Sequence, residues 1–195
     1  MKRGLELITG PMFCGKTEEL LRRLRREQIA GSYVQLFKPE LDNRYASDKV
    51  VTHEGISLKA ISVKTIDQML DELEEKTQVI GIDEIQFFDD SIPTFCLSLS
   101  KRIRIIASGL ALDFKDEPFK FRDSEKHVGD LMPYCKITQL TSICTYQDGL
   151  KQTCGKEATH TQRLIDGNPA SKDSPLILIA GKDSYEARCD EHYFI

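Results

Sequence analysis

Eight residues near the amino terminus, Gly10-Pro11-Met12-Phe13-Cys14-Gly15-Lys16-Thr17, constrain this chain more than any other stretch. Two glycines flanking a short run, followed at once by a lysine and a hydroxyl, let the backbone wind tightly enough to turn several N–H groups toward one point. An oligophosphate fits such a cradle. Lys16 would meet the outer phosphates, the Thr17 hydroxyl would meet a magnesium ion, and the following helix adds its dipole. The flanks agree: Gly4 to Thr9 reads as a short buried strand, and Glu18 to Ala30 as a helix with Leu20, Leu21, Leu24 and Ile29 on one side. The plainer alternative is an ordinary glycine turn before a helix, and the strand and helix on either side argue against it.

The rest of the chain must support that loop. At 195 residues, with 40% hydrophobic and 30% charged residues, it is sized for one globular domain with at most a small appendage. No apolar run is long enough to span a bilayer, and Met1-Lys2-Arg3 leads straight into a strand, so the sequence reads as cytoplasmic with no membrane partner. A formal net charge of −4 argues against a nucleic-acid partner, and the basic group Arg22, Arg23, Arg25 and Arg26 reads as a solvated helix face. Six cysteines without an export signal suggest thiols or metal ligands, not disulfides.

Strands and helices then alternate. Tyr33 to Phe37 is a second strand, Glu40 to Gly55 a polar loop containing Asp42, Arg44 and His53, and Thr65 with Gln68 a capping box opening a helix to about Lys76. Val79 to Glu84 reads as a buried parallel strand ending in two carboxylates, at the carboxyl end where open α/β sheets hold ligands. Asp83 would hold magnesium, directly or through water, against Thr17 and the phosphates, and Glu84 is the candidate base or water-positioning group; the plainer alternative is two solvated acids at a strand end. Ser91 to Lys101 reads as a helix, Ile103 to Ala107 as a strand, Ser124 to Tyr134 as a helix and Ile137 to Ile143 as a strand. Phe87, Phe88, Phe114 and Phe119 follow strand ends near the carboxylates, where aromatic rings either wall a flat base or pack the core. The alternation implies a parallel sheet.

The last quarter differs. Cys144, Cys154, Cys189 and His192 surround turn residues and an apolar strand, Leu176 to Ile179. Three thiols and an imidazole suit a structural tetrahedral zinc, with unrelated buried thiols as the alternative and His160 as a substitute ligand. A metal would close a β module too short to be stable unaided. Cys14, Cys96 and Cys135 read as small apolar residues.

Taken together, several blocks in order resemble the zinc-containing cytosolic thymidine kinase family (type II). They are Gly10 to Thr17 with Glu18-Glu19-Leu20, Asp42-Asn43-Arg44-Tyr45, Asp83-Glu84-Ile85-Gln86-Phe87-Phe88, Gly109-Leu110 with Asp113-Phe114, Cys154-Gly155-Lys156-Glu157-Ala158, Thr161-Gln162-Arg163-Leu164, and Tyr185 before Cys189. The resemblance implies an α/β fold, a P-loop NTPase (RecA-like) parallel sheet with helices on both faces, plus a small zinc-bound β lobe carrying a lasso loop. It divides the chain into an ATP-binding domain over 1–140 and a zinc and lasso domain over 141–195.

The resemblance also implies roles. Glu84 is the catalytic base for the thymidine 5′-hydroxyl. Gly10, Pro11, Met12, Phe13, Cys14, Gly15, Lys16, Thr17, Asp42, Arg44, Asp83 and Gln86 serve ATP and its phosphates, with Thr17 and Asp83 on magnesium. Met12, Phe87, Leu110, Phe114, Phe119 and Tyr185 enclose thymidine, while the backbone of Leu176, Ile177, Leu178, Ile179 and Ala180 reads the thymine edge. Cys144, Cys154, Cys189 and His192 hold zinc. ATP, Mg2+ and Zn2+ are the implied cofactors, thymidine and also deoxyuridine the acceptors, a homotetramer the assembly and thymidine triphosphate the feedback inhibitor. Two departures stand out: nine residues separate Cys144 from Cys154 where the family usually has two, and Ala111 stands where an aspartate is common. Two rival readings are a P-loop ATPase of helicase or motor type, because Asp83-Glu84-Ile85-Gln86 also resembles a helicase acidic motif, and a zinc-containing module that binds nucleotide without chemistry.

Overall fold

The computed structural model describes residues 3–40, 49–51, 57–150, 152–176 and 183–194. Among these, a sheet of order β3-β4-β2-β5-β6-β1-β7 is built from β1 (Gly4–Thr9), β2 (Val34–Pro39), β3 (Lys49–Val51), β4 (Ser57–Val63), β5 (Val79–Ile82), β6 (Arg104–Ser108) and β7 (Lys136–Gln139). All neighbours pair in parallel except β3, which lies antiparallel on β4.

The two-residue period of the strands decides which helix each face receives. Ile8, Leu36, Val79 and Ile106 face α1 (Lys16–Ile29), which contributes Leu20, Leu21 and Leu24. Leu5, Leu7, Phe37, Ile80, Ile82, Ile105 and Ala107 face the other way, onto α2 (Ile66–Asp71) and α3 (Ile92–Leu99) through Ile66, Met69, Ile92 and Phe95. Gly81 permits the close approach of α1: a β-carbon there would lie 2.4 Å from Leu24 Cδ1.

Several elements differ from the sequence expectation for identifiable reasons. Thr65 does cap α2, accepting from the Gln68 N–H at 3.2 Å, but the helix stops at Asp71 instead of near Lys76. Gln35 on β2 ends it, its amide taking the Glu72 carbonyl at 2.9 Å and the Glu74 N–H at 3.0 Å. Gly129 and Pro133 disfavour an α-helix, and 124–134 yields a 3-10 segment over Val128–Tyr134. The expected strand 137–143 is two: β7 ends at Gln139, Leu140 N bonds Thr9 O at 2.8 Å, and β8 (Ser142–Ile143) joins a different sheet. β4 was not expected at all.

Beyond β7, β8 pairs with β9 (Glu157–Ala158), and β10 (His160–Ile165) lies between β11 (Asn168–Pro169) and β12 (Asp183–Arg188) in an antiparallel sheet. Asp42, Arg44, Ile177, Leu178, Ile179 and Ala180 lie outside the described residues.

Candidate active site

The loop from β1 to α1 takes the shape its glycines allow. Gly10 has φ +148, and a β-carbon there would lie 2.2 Å from the Leu140 carbonyl oxygen and 2.8 Å from Cys14 Sγ. Gly15 caps α1 with φ +81. Lys16 is buried, its Nζ donating to Pro11 O at 2.6 Å and Gly10 O at 3.2 Å.

Parallel pairing of β5, β6 and β1 brings three carboxyl ends side by side. Asp83, just past β5, accepts from the Thr17 hydroxyl at 3.1 Å to each oxygen, from Ser108 Oγ at the end of β6, and from the Glu84 N–H at 3.1 Å. Burial raises the Asp83 carboxyl above its usual range against these donors. Glu84 follows in a left-handed backbone (φ 51, ψ 47), an uncommon state for a residue with a side chain. Burial first, and the neighbouring Asp83 charge second, raise its carboxyl as well. Gln86 Nε2 donates to Glu84 Oε2 at 2.5 Å, while its Oε1 accepts from Leu110 N at 3.1 Å.

These groups open on one cavity of about 520 Å³. Met12, Phe13, Gly15, Lys16, Thr17 and Glu18 form its phosphate-loop wall, and Glu84 and Gln86 its acidic wall. Phe87, Leu110, Phe114, Phe119, Leu176 and Tyr185 form an apolar end, with Phe87 and Phe119 edge to face at a centroid separation of 5.7 Å. A cavity this size, apolar at one end and rich in phosphate-loop donors at the other, has the makings of a small-molecule site.

A second cluster lies in the appended sheets. The ligand atoms of Cys144, Cys154, Cys189 and His192 all fall within 4.8 Å of one another. Cys189 Sγ is 3.4 Å and Cys144 Sγ 3.8 Å from His192 Nδ1, and Cys154 Sγ is 3.9 Å from Cys189 Sγ. Zinc–sulfur bonds near 2.3 Å imply tetrahedral edges of about 3.8 Å, so the donor set fits zinc. The long spacing between Cys144 and Cys154 is absorbed by a hairpin: Gln147 bridges Thr153, Cys154 N bonds Tyr146 O at 2.8 Å, and Gly155 N bonds Cys144 O at 3.1 Å. Burial raises the Cys144 thiol, but the Cys189 and Tyr146 N–H groups and the His192 ring outweigh it and bring it down to about 7, toward the thiolate a metal needs. His160 is not a substitute ligand, because Asp116 and Asp190 engage its two ring nitrogens at 2.6 and 2.8 Å.

The family model described as Thymidine kinase matches residues 3–193. The chain belongs to the thymidine kinase family. A curated thymidine kinase of Thermococcus kodakarensis is 45% identical over 197 aligned positions, covering 98% of this chain and 94% of its own. Two solved structures overlap the trace more loosely. The ATPase DotB of Legionella pneumophila has a TM-score of 0.42 at 13% identity, over 78% of this chain and 43% of that one. A DnaB-like replicative helicase has 0.43 at 14%, over 94% and 55%. This chain spans about half the length of those two structures, and likenesses of that size carry no functional argument.

Of the residues singled out in the sequence, the cavity gathers Met12, Phe13, Gly15, Lys16, Thr17, Glu84, Gln86, Phe87, Leu110, Phe114, Phe119, Leu176 and Tyr185. Gly10 and Pro11 lie behind it and hold Lys16, Asp83 acts on it through Thr17, and Cys14 Sγ sits 3.8 Å from Lys16 Nζ. Gln86 spends its amide on Glu84 and Leu110. Sequence reasoning gave no role to Thr161 or Glu18, although both line the cavity and Thr161 Oγ1 accepts from Met12 N at 2.9 Å. The only signal for Thr161 was its place in the Thr161-Gln162-Arg163-Leu164 block.

Proposed function

We propose that this enzyme transfers the γ-phosphate of ATP to the 5′-hydroxyl of thymidine, giving thymidine monophosphate and ADP. The observation that carries the reading is that Glu84, the phosphate loop and the aromatic residues Phe87, Phe114 and Tyr185 all line one cavity, so a nucleoside seated among those rings has the carboxylate and the phosphates within the same enclosure. Glu84 takes the hydroxyl proton, the 5′-oxygen bonds to the γ-phosphorus, and the bond to the ADP oxygen breaks in line. Burial and the Asp83 charge raise its carboxyl, the direction that makes a carboxylate a better proton acceptor. The loop N–H groups and Lys16 stabilise the phosphoryl charge.

Thr17 and Asp83 are the residues that would hold magnesium, whose charge would neutralise the phosphates. Cys144, Cys154, Cys189 and His192 would hold a structural zinc. Asp42 and Arg44 are assigned to the phosphates, and Leu176 through Ala180 to the thymine edge, by resemblance alone. The same resemblance supports a division near residue 140, deoxyuridine as a second acceptor, a homotetramer, inhibition by thymidine triphosphate and a cytoplasmic setting. No helix among the described residues is long and apolar enough to cross a membrane.

The test is ADP and thymidine monophosphate formation from magnesium-ATP and thymidine by wild-type protein and Glu84→Gln. The reading requires stoichiometric products from wild type and loss of most turnover in the variant with ATP binding retained. Equal turnover in Glu84→Gln would remove Glu84 from its role.

A further inference from the structure

Phe114 stands on a five-residue turn whose own sequence holds its inner side. The Asp113 carboxylate accepts from Lys115 N at 2.7 Å and Glu117 N at 3.1 Å, and Asp113 N bonds Glu117 O at 2.9 Å. Asp116 takes φ +57 to close it. The Phe114 ring itself lies beneath Lys115 Nζ of the same turn at 5.5 Å and beneath the Arg163 guanidinium of β10 at 5.2 Å from its centroid, while the Phe114 carbonyl and the Asp116 carboxylate find their partners outside the turn.

Both outer groups are caught by the appended sheets. Tyr193 Oη donates to the Phe114 carbonyl at 2.8 Å. His160, at the start of β10, places Nδ1 2.6 Å from Asp116 Oδ2 and Nε2 2.8 Å from Asp190 Oδ1. The two rings stack, with centroids 4.4 Å apart and planes 10° from parallel. Next along β10, Thr161 accepts from the Met12 N–H of the phosphate loop at 2.9 Å. The segment Cys189 to Tyr193, which supplies two ligands to the cysteine cluster, therefore also supplies one direct contact to the loop that walls the cavity, from Tyr193, and through Asp190 holds His160, which supplies the other.

We infer that Tyr193 and His160 are positioning residues for the acceptor nucleoside, fixing the pose of Phe114 from outside the cavity through its carbonyl and through Asp116. Neither residue touches the cavity. They act on acceptor binding and leave the phosphate loop, the carboxylates and hence donor binding alone. This rests on the reading that Phe114 walls the nucleoside.

The experiment is steady-state kinetics on full-length, metal-loaded Tyr193→Phe, which keeps the stacked ring and removes one hydrogen bond. Its thymidine KM is expected to rise about 3- to 10-fold, as losing one part-buried hydrogen bond implies, with kcat and the ATP KM within about 2-fold and zinc content equal to wild type. Asp116→Asn, isosteric at the far end of the clamp, moves the thymidine KM in the same direction. In a Phe114→Leu background, adding Tyr193→Phe is expected to cost little more, because the ring it positions is gone. Each of three results overturns the inference: a thymidine KM within about 2-fold of wild type, a matching rise in the ATP KM, or full additivity with Phe114→Leu. Calorimetric thymidine binding to wild type separates the two levels. If wild type binds no thymidine, the nucleoside reading fails and this one with it. If it binds and Tyr193→Phe changes nothing, only the positioning role fails.

Discussion

Gln86 donates to Glu84 at 2.5 Å and, through its other amide atom, accepts from the Leu110 backbone at 3.1 Å. The proposed base is thus tied to the segment that follows β6, and Gly109 makes the tie possible, since a β-carbon there would lie 2.4 Å from Gln86 Oε1. Replacing Gln86 with leucine should free the Glu84 carboxylate to rotate. We expect kcat to fall about 10-fold or more with the ATP KM little changed, because small misplacements of a reacting group are costly. Steady-state kinetics with each substrate varied in turn checks it.

The raised Glu84 carboxyl sets the sign of the pH dependence. As a base it works deprotonated, so kcat should rise with pH through a value above the usual 4.5 of a glutamate. In the folded state this group holds its proton to higher pH than in the unfolded chain. Wild-type stability therefore falls as pH rises from the unfolded value through the folded one. Glu84→Gln removes that loss and is expected to melt higher than wild type at pH 8 in magnesium-free buffer, and close to wild type at pH 4. Scanning calorimetry at the two pH values decides it, and a lower melting point for the variant at pH 8 would contradict the burial argument.

Gly10 and Gly31 separate two costs of substitution. Both carry positive φ, but an added methyl at Gly31 meets nothing within 4 Å, whereas at Gly10 it meets the Leu140 carbonyl oxygen at 2.2 Å. Gly31→Ala should lose about 1 kcal/mol of stability with turnover intact, the cost of a left-handed residue alone. Gly10→Ala should deform the loop and weaken ATP binding more than 10-fold. Chemical denaturation and calorimetric ATP titration measure the two effects.

Much of this arrangement was legible because it is local. The glycine, lysine and hydroxyl spacing, the Val79 to Glu84 run and the Thr65 cap each act within a few residues, and all three lie where the sequence puts them. What was not legible depends on distant partners. β4 carries Lys59 and Ser62 among its apolar residues and becomes a strand by pairing with β2. α2 ends early because Gln35, from β2, donates to the carbonyl of Glu72, the residue that caps it. Thr161 reaches the cavity only because the fold brings β10 against the phosphate loop, where Thr161 Oγ1 accepts from Met12 N, 149 residues away in sequence. The nine residues between Cys144 and Cys154 looked like an obstacle, but a hairpin removes their length from the cluster.

That hairpin makes the cysteine cluster testable. Mass spectrometry under native conditions should find one zinc per chain. Cys144→Ser should lose most of it and lower the melting temperature by several degrees, while Cys135→Ser, outside the cluster, keeps the metal. Retained zinc in Cys144→Ser would move Cys144 out of the donor set.

The most direct test of the central claim is the rate of ADP release from magnesium-ATP by purified protein, measured with no addition, with thymidine, with other deoxynucleosides and with single-stranded DNA, while nucleoside monophosphate is quantified in parallel. Thymidine is expected to switch turnover on, with its monophosphate accumulating one for one with ADP. ADP appearing at the same rate without nucleoside, or only with DNA, would contradict it.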